Sequence, residues 1–227
     1  MTASAEFIGT LALVLAVVGS GMMAGSLTED VALQLLINAA ATVAALYILI
    51  NLLAPLSGAH FNPAVTVVSS LRGERGATEV VTYLFAQVSG AIAGSLLAHL
   101  TFDIPFAIST KDRMGISLLL AEVVATFGLV MIVFADWKRY RLRNRASMIA
   151  LWIGGAYFFT SSTSFANPAV TIGRIFTDSF AGISPASVLP FIGAQIVGAL
   201  LAWLTLIAIR NSLSSTEGSI KREAKNP

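Results

Sequence analysis

The sequence predicts an all-α membrane protein in which six transmembrane helices and two re-entrant half-helices form an inverted repeat of two three-helix units. The first observation is composition: 56% of the 227 residues are hydrophobic, 11% are charged, and the mean hydropathy is +0.81. These values exceed what a soluble core requires. The second observation is a set of long apolar segments, and the third is a pentapeptide, NPAVT, that occurs once in each half of the chain.

Six segments meet or approach the length of about 20 mostly apolar residues that a transmembrane helix needs. They cover residues 3–24, 31–54, 78–101, 115–136, 146–162 and 186–209. Their apolar runs are continuous, whereas the strands of a membrane barrel alternate, so we expect helices, the fifth being the shortest. The first segment lacks the basic flank of a signal peptide and is interpreted as a retained span. We expect one domain over residues 1–227, with a frayed polar tail at 211–227.

Basic residues indicate the orientation, because Lys and Arg accumulate in cytoplasmic loops. With both termini in the cytoplasm, eleven of the fourteen lie inside, and Lys111, Arg113 and Arg174 lie outside. The run KRYRLRNR, residues 138–145, is then the loop between the fourth and fifth helices. Since the net charge is only +2, we interpret this run as a topology signal and expect no nucleic-acid partner. The absence of cysteine excludes disulfides and thiolate metal sites.

Three motifs recur in the same order in the two halves. AEFIGT at 5–10 matches AEVVAT at 121–126, and AQVSGA at 86–91 matches AQIVGA at 194–199, with an NPAVT inside each pair. This pattern predicts a duplicated unit over residues 3–101 and 115–210. Because each unit has three spans, the two copies have opposite orientations in the membrane. The two NPA segments are therefore expected to approach the midplane from opposite faces.

Each NPA triplet carries the signals that begin a helix, since Asn is a good N-cap and Pro suits the first helical position. The triplets are Asn62, Pro63 and Ala64, and Asn167, Pro168 and Ala169. The apolar runs that follow, residues 63–71 and 168–176, are nine residues each, about 13 Å or half the hydrocarbon thickness. Irregular backbone at that depth lines an aqueous cavity. The loops before the triplets are thus expected to offer carbonyl acceptors to a passing molecule, and the two Asn amides to donate at the centre.

The duplicated NPA boxes, the AE-x-x-x-T openings and the AQ-x-x-GA helices resemble the aquaporin and aquaglyceroporin family, the major intrinsic proteins. The resemblance covers about residues 3–210. It implies the aquaporin fold, a homotetramer in a lipid membrane, and in each subunit a pore for water or small neutral solutes, without a cofactor or an enzymatic activity. It also implies that Glu6 and Glu122 hold the re-entrant loops by accepting backbone hydrogen bonds, and that His60 packs beside the pore.

The same geometry predicts that protons are excluded. The half-helices would point their positive dipole ends at the midplane and repel cations. A central water held with its oxygen toward two Asn donors cannot relay a proton. His99, among Leu and Ala in the third span, is interpreted as a packing residue.

Family spacing places the constriction at Thr42, Gly155, Ser164 and Val170. Most relatives have an arginine at the last of these positions and an aromatic residue in at least one other. Here all four residues are small and uncharged, which predicts a wide filter. Such a filter resembles a bacterial branch, often encoded beside arsenic-resistance genes, whose members are thought to pass uncharged metalloid acids such as arsenous acid. Glycerol-like polyols are the other expected solutes.

Arg174 leaves two alternatives open. It lies four residues beyond Val170, on the same helix face and one turn nearer the outer mouth. It either gives the vestibule a positive charge or pairs with Asp178 at i+4. Other functions also remain: a water-selective aquaporin, a junctional protein with a shut pore, or a secondary transporter, which also uses inverted repeats but needs intramembrane charges beyond Glu6 and Glu122.

Overall fold

The helices follow the order that the repeat predicts. The computed structural model describes residues 1–135 and 144–223, with side chains up to residue 213. In this part of the chain the helices are α1 Thr2–Leu27, α2 Val31–Ser57, α3 Pro63–Leu71, α4 Ala77–Phe102, α5 Ile116–Val133, α6 Arg145–Phe159, α7 Pro168–Gly173 and α8 Pro185–Glu223. Most of the KRYRLRNR run lies outside the described residues.

Among the described residues, five helices are long and apolar enough to cross a membrane: α1, α2, α4, α5 and the Pro185–Leu213 part of α8. The remaining predicted span corresponds to α6, which has 15 residues and is the shortest of the six. A frayed polar tail was expected from residue 211, but α8 continues to Glu223, so through that residue the expectation is wrong. Residues 211–223 contain no proline that would end it.

The two half-helices begin where the Asn-Pro pairs predict. The side chain of Asn62 accepts a hydrogen bond from the Ala64 N–H at 2.9 Å, and that of Asn167 accepts one from the Ala169 N–H at 3.0 Å. The first half-helix, α3, has the predicted length. The second is α-helical only through Gly173 and then tightens into a 3₁₀ turn, Arg174–Phe176, as last helical turns often do.

The inverted repeat is confirmed by how the long helices cross. Gly90 of α4 lies on the Phe7 carbonyl of α1, and Gly198 of α8 lies on the Val123 carbonyl of α5. These pairs come from the matched AQ and AE motifs. A side chain at either glycine would overlap the facing backbone, so the absence of one lets the helices approach closely. Both half-helices lie between α4 and α8 and contact each other.

Candidate functional site

The first re-entrant loop is held by Glu6, which is fully buried. Its Oε1 accepts hydrogen bonds from Ser57 Oγ at 2.6 Å and the His60 N–H at 3.0 Å. Its Oε2 accepts from the Phe61 N–H at 2.7 Å and Gln87 Nε2 at 2.8 Å. One carboxylate thus satisfies two consecutive backbone donors of the loop.

Glu122 does the same for the second loop and is also fully buried. Its Oε1 accepts from the Phe165 N–H at 2.9 Å, and its Oε2 accepts from the Ala166 N–H at 2.8 Å and from Gln195 Nε2 at 2.6 Å. The two carboxylates are related by the repeat, and each is fastened to the loop of its own half.

These hydrogen bonds stabilise an unfavourable backbone conformation in the two loops. The residue before each NPA asparagine has a left-handed conformation, with φ of 48° at Phe61 and 46° at Ala166. A residue with a Cβ loses roughly 1–2 kcal/mol in that region. The loops keep this conformation because the carboxylates accept the N–H groups of Phe61 and Ala166.

A glutamine and a threonine complete the hydrogen-bonded brace that each glutamate forms with its loop, and their roles were not predicted from the sequence. Gln87 Nε2 donates to Thr66 Oγ1 at 3.0 Å, and Gln195 Nε2 donates to Thr171 Oγ1 at 2.9 Å. Each threonine hydroxyl donates in turn to the carbonyl of its NPA asparagine. The signal was present in the sequence, because both residue types recur within the repeated AQ-x-x-GA and NPAVT motifs.

The two asparagines fasten the loops to each other. Asn62 Nδ2 donates to the Ala166 carbonyl at 2.7 Å, and Asn167 Nδ2 donates to the Phe61 carbonyl at 2.7 Å. An amide has two N–H groups, so one remains on each side chain for a molecule in the cavity. One N–H from each asparagine is therefore left to form the expected pair of central donors.

An elongated cavity passes both asparagines and is lined by regular stripes of side chains. Helix α2 contributes Thr42, Leu46, Ile50 and Ala54, and helix α6 contributes Arg145, Ile149, Ile153 and Tyr157. Spacing by four residues keeps each stripe on one helix face. Val65 and Val170, the valines of the two NPAVT motifs, also line the cavity. The end of the cavity at Arg174 is called the outer mouth and the end at Arg145 the cytoplasmic mouth, following the orientation predicted from the charges of the loops.

Three of the four residues assigned to the constriction line this cavity: Thr42, Ser164 and Val170. Gly155 does not, and it is exposed on the other side of α6. It lies two positions before Tyr157, and at 100° per residue this rotates it about 200° away from the lining stripe. The prediction that Gly155 opens the wall is therefore wrong.

Tyr157 occupies that part of the wall. Its hydroxyl lies 3.1 Å from Thr42 Oγ1. Because Thr42 Oγ1 donates its own hydrogen to the Asn38 carbonyl, the Tyr157 O–H is the donor between the two. The ring beside Val170 thus contains an aromatic residue that the spacing rule did not identify.

Arg174 also lines the cavity, with 2% of its surface exposed. Its guanidinium lies 3.4 Å from the Phe165 ring centroid, and its Nε donates to the Ala181 carbonyl. Asp178 is bound elsewhere, accepting from the Thr110 N–H at 2.9 Å. Of the two alternatives for Arg174, the ion pair with Asp178 is wrong, and the arginine adds a positive charge to the cavity wall.

His60 and His99 have local partners. His60 lines the cavity, with its Nδ1 3.0 Å from Thr66 Oγ1 and its ring against the edge of Tyr83. His99 Nδ1 lies 3.0 Å from the Ile104 carbonyl, in keeping with a packing residue. The described part of the chain contains no group of three or more His, Asp or Glu side chains placed to hold a metal ion.

Lys111 lies outside the membrane-spanning segments, near the outer mouth. Burial is the main reason that its pKa is lowered to about 8, and the positive charges of Arg113 and Arg174 lower it further. Burial likewise lowers the pKa of Arg113 to about 10. The contribution of Arg113 and Arg174 to the lowered pKa of Lys111 shows that the three cations lie near one another at this mouth.

A membrane-spanning inverted repeat, with two half-helices meeting beside a lined cavity, defines a channel and not an enzyme. The chain belongs to the major intrinsic protein family, whose sequence pattern matches residues 2–165.

Similar proteins agree with this assignment. The chain is 49% identical over 199 residues to the aquaglyceroporin AqpS of Rhizobium meliloti (strain 1021), covering 87% of this chain and 85% of the relative. It is 36% identical over 208 residues to the probable aquaporin TIP2-1 of Oryza sativa subsp. japonica, covering 86% and 83%. The X-ray structure of the aquaglyceroporin from Plasmodium falciparum shares the fold, with a TM-score of 0.65, 20% identity and coverage of 89% and 93%.

Proposed function

We propose that this channel passively passes water and small uncharged solutes, namely glycerol-like polyols and uncharged metalloid acids such as arsenous acid, and excludes ions and protons. The observation that carries the proposal is the two-sided wall near the outer mouth. Ser164, Arg174 and the Thr42–Tyr157 pair present polar groups, whereas Val170 and Phe165 present apolar surface.

A polyol suits such a wall, because its hydroxyls lie along one edge and its carbon chain along the other. Sites for small molecules commonly combine an apolar lining with a few placed polar groups. The similarity to a protein named aquaglyceroporin supports the same class of solute. A purely water-selective channel is the alternative, and Tyr157 and Arg174 make it a more serious one than the sequence indicated.

Arsenous acid also presents hydroxyl groups on a small neutral body. Trivalent arsenic is soft and reacts with thiolates, but the chain contains no cysteine that would capture it. Its hydroxyls meet the same donors and acceptors as those of glycerol. This shared chemistry supports passage of both solutes.

Several features oppose ions. Cations are repelled because the N-termini of α3 and α7 meet at the asparagines and place positive dipole ends at the centre, and the Arg174 charge adds to this repulsion. The aliphatic stripes on α2 and α6 offer no replacement for an ion's hydration shell. Coupled transport is disfavoured because Glu6 and Glu122, the glutamates that are buried in the described part of the chain, both accept hydrogen bonds from the loops.

Light scattering of vesicles that contain the purified protein tests the proposal. Shrinkage in an impermeant osmolyte measures water flux, and re-swelling in glycerol, boric acid or arsenous acid measures solute entry. A pH-sensitive dye inside the vesicles measures proton leak. We expect water and solute entry that is linear in solute concentration, without proton leak; water flux without solute entry would establish the water-selective alternative, and saturating, gradient-dependent entry a transporter.

The assembly and location are part of the proposal. The resemblance to the family supports a homotetramer in the cell membrane, with one pore per subunit and both termini in the cytoplasm. Cross-linking in native membranes and protease access to the C-terminal tail measure these two features.

A further inference from the structure

The three basic residues predicted to lie outside the membrane converge on one short segment. Lys111 Nζ donates to the Phe180 carbonyl at 3.0 Å, Arg174 Nε donates to the Ala181 carbonyl, and Arg113 Nε donates to the Gly182 carbonyl at 2.8 Å. Three consecutive carbonyls thus bind three different cations at the outer mouth.

The two arginines also share one aromatic ring. The guanidinium carbon of Arg174 lies 3.4 Å from the Phe165 ring centroid, and that of Arg113 lies 4.9 Å from it. Arg113 has 8% of its surface exposed and Arg174 has 2%. Two guanidinium groups are therefore withdrawn from water side by side.

No carboxylate in the described part of the chain forms an ion pair with these cations; the pairs found there are Arg72 with Glu74 and Arg75 with Glu79. The acidic groups near the mouth form their hydrogen bonds with uncharged donors. Asp112 accepts from Ser187 Oγ, Asp178 from Thr110, and Glu122 from its loop.

Buried charges in proteins are normally paired with opposite charges. The carbonyls of residues 180–182 satisfy hydrogen bonds of these cations but carry no net charge. The guanidinium groups of Arg113 and Arg174 thus have no carboxylate within ion-pair distance, although Glu122 and Asp178 lie close enough to act electrostatically on the cations of this mouth.

A second observation indicates a ligand at the same place. Ser164 lines the cavity with 3% of its surface exposed, and its Oγ is buried without a hydrogen-bond partner. The Nη atoms of Arg174 likewise make no hydrogen bond to the described residues, since its bonded side-chain atom is Nε. Free donors on both residues therefore remain for a molecule in the cavity.

We propose that the outer mouth is a binding site for a small oxyanion, such as inorganic phosphate. The Nη groups of Arg174 and the hydroxyl of Ser164 donate hydrogen bonds to its oxygens, and Arg113 and Lys111 contribute charge. A guanidinium suits an oxyanion because its N–H groups match the spacing of two oxygens.

An anion bound there blocks the pore without passing through it. Beyond the ring of Thr42, Tyr157 and Val170 the wall becomes largely aliphatic, and an anion loses its hydration on entering it. The site therefore acts as a reversible outer inhibitor site. This inference does not depend on which neutral solute the channel passes, because it is measured on water flux and on stability.

The test uses purified protein in two assays, with inorganic phosphate replacing chloride at constant ionic strength and osmolarity. The first measures water permeability of vesicles by stopped-flow light scattering. The second measures the melting temperature, which rises when an anion binds the folded state alone. We expect phosphate to lower water permeability and to raise the melting temperature at the same concentrations.

Two variants and one matched control locate the site. Arg174→Gln should weaken phosphate binding about tenfold or more, and Ser164→Ala by about threefold, as expected for the loss of a charged and a neutral hydrogen bond. Arg145→Gln removes a cation from the cytoplasmic end of the same cavity and should leave phosphate binding unchanged. A wild type that phosphate neither stabilises nor blocks, or an Arg174→Gln variant that binds phosphate as the wild type does, overturns the proposal.

Discussion

Replacing Val170 with arginine tests how the mouth of the pore is built. Val170 is 5% exposed and lines the cavity, one turn of α7 from Arg174, so their β-carbons are about 5–6 Å apart. Arg174 has little room to retreat, because Phe165 and the Ala181 carbonyl hold its guanidinium. Two guanidiniums about 6 Å apart in a medium of effective dielectric constant about 20 repel each other by about 3 kcal/mol.

This repulsion should turn the new side chain toward the cavity axis. We expect Val170→Arg to lower glycerol permeability at least about tenfold more than water permeability and to reduce the melting temperature. The double variant Val170→Arg with Arg174→Val removes the repulsion, so it should recover stability while still excluding glycerol. Val170→Leu is the size control, because it narrows the cavity without adding charge.

The fluxes must be compared at equal amounts of folded protein in the vesicles, since a folding loss lowers every permeability equally. If Val170→Arg leaves glycerol entry unchanged, Val170 does not lie in the constriction. If the double variant is no more stable than Val170→Arg, then Arg174 is not the source of the repulsion.

Other parts of the site give further predictions. Glu122→Gln replaces an acceptor oxygen with a donor and leaves at least one buried N–H of the loop without an acceptor. The variant should lose roughly 1–3 kcal/mol of stability, which is measured as a lower melting temperature and a lower water flux. Gly198→Ala should destabilise the protein by about 1–3 kcal/mol through overpacking, whereas Gly193→Ala, on the same helix with open space around it, should be neutral or slightly stabilising in the same assay. Phosphate block should weaken as the pH rises through about 8. Lys111 faces Arg113, Arg174 and Asp178, and its pKa is lowered to about 8, so it loses its proton in this range. Lys111→Gln should abolish this dependence. Mercuric ion should not inhibit water flux, since no cysteine is present, and inhibition reversed by a thiol reagent would contradict this.

The half-helices were predictable from sequence because their signals are local. An asparagine cap and a following proline set the start of a helix within a few residues, and both starts lie where they were expected. The inverted repeat was predictable because three motifs recur in order. The roles of Gln87 and Gln195 were not, since they depend on which side chains the packing of α4 and α8 brings to the glutamates.

The two errors at the outer mouth both concern helix geometry: the phase of α6 and the end of the second half-helix. Gly155 was placed by counting back from Asn167, which assumes that the connection after α6 has the length found in relatives; a change of two residues turns a different face of α6 to the cavity. The ion pair of Arg174 with Asp178 assumed a helix through residue 178. The helical turns end at Phe176, so the i, i+4 relation does not apply.

The duplication also explains why the two mouths differ. Position 174 lies seven residues after the second NPA asparagine, and the corresponding position after the first is Ser69, whose hydroxyl donates to Glu74 at 3.0 Å. Both halves of the repeat contain the Glu-Gln-Thr brace, because each re-entrant loop needs it. The position seven residues after the asparagine differs: it is the cation Arg174 in one half and the neutral Ser69, beside the Glu74 carboxylate, in the other. The two mouths therefore arrange their charges differently: Arg174 lines the cavity at the outer mouth, whereas Glu74, at the other end, is paired with Arg72. Phosphate added only to the side of Arg174 should therefore reduce water flux, and phosphate added only to the side of Glu74 should not; equal block from both sides would place the anion away from Arg174.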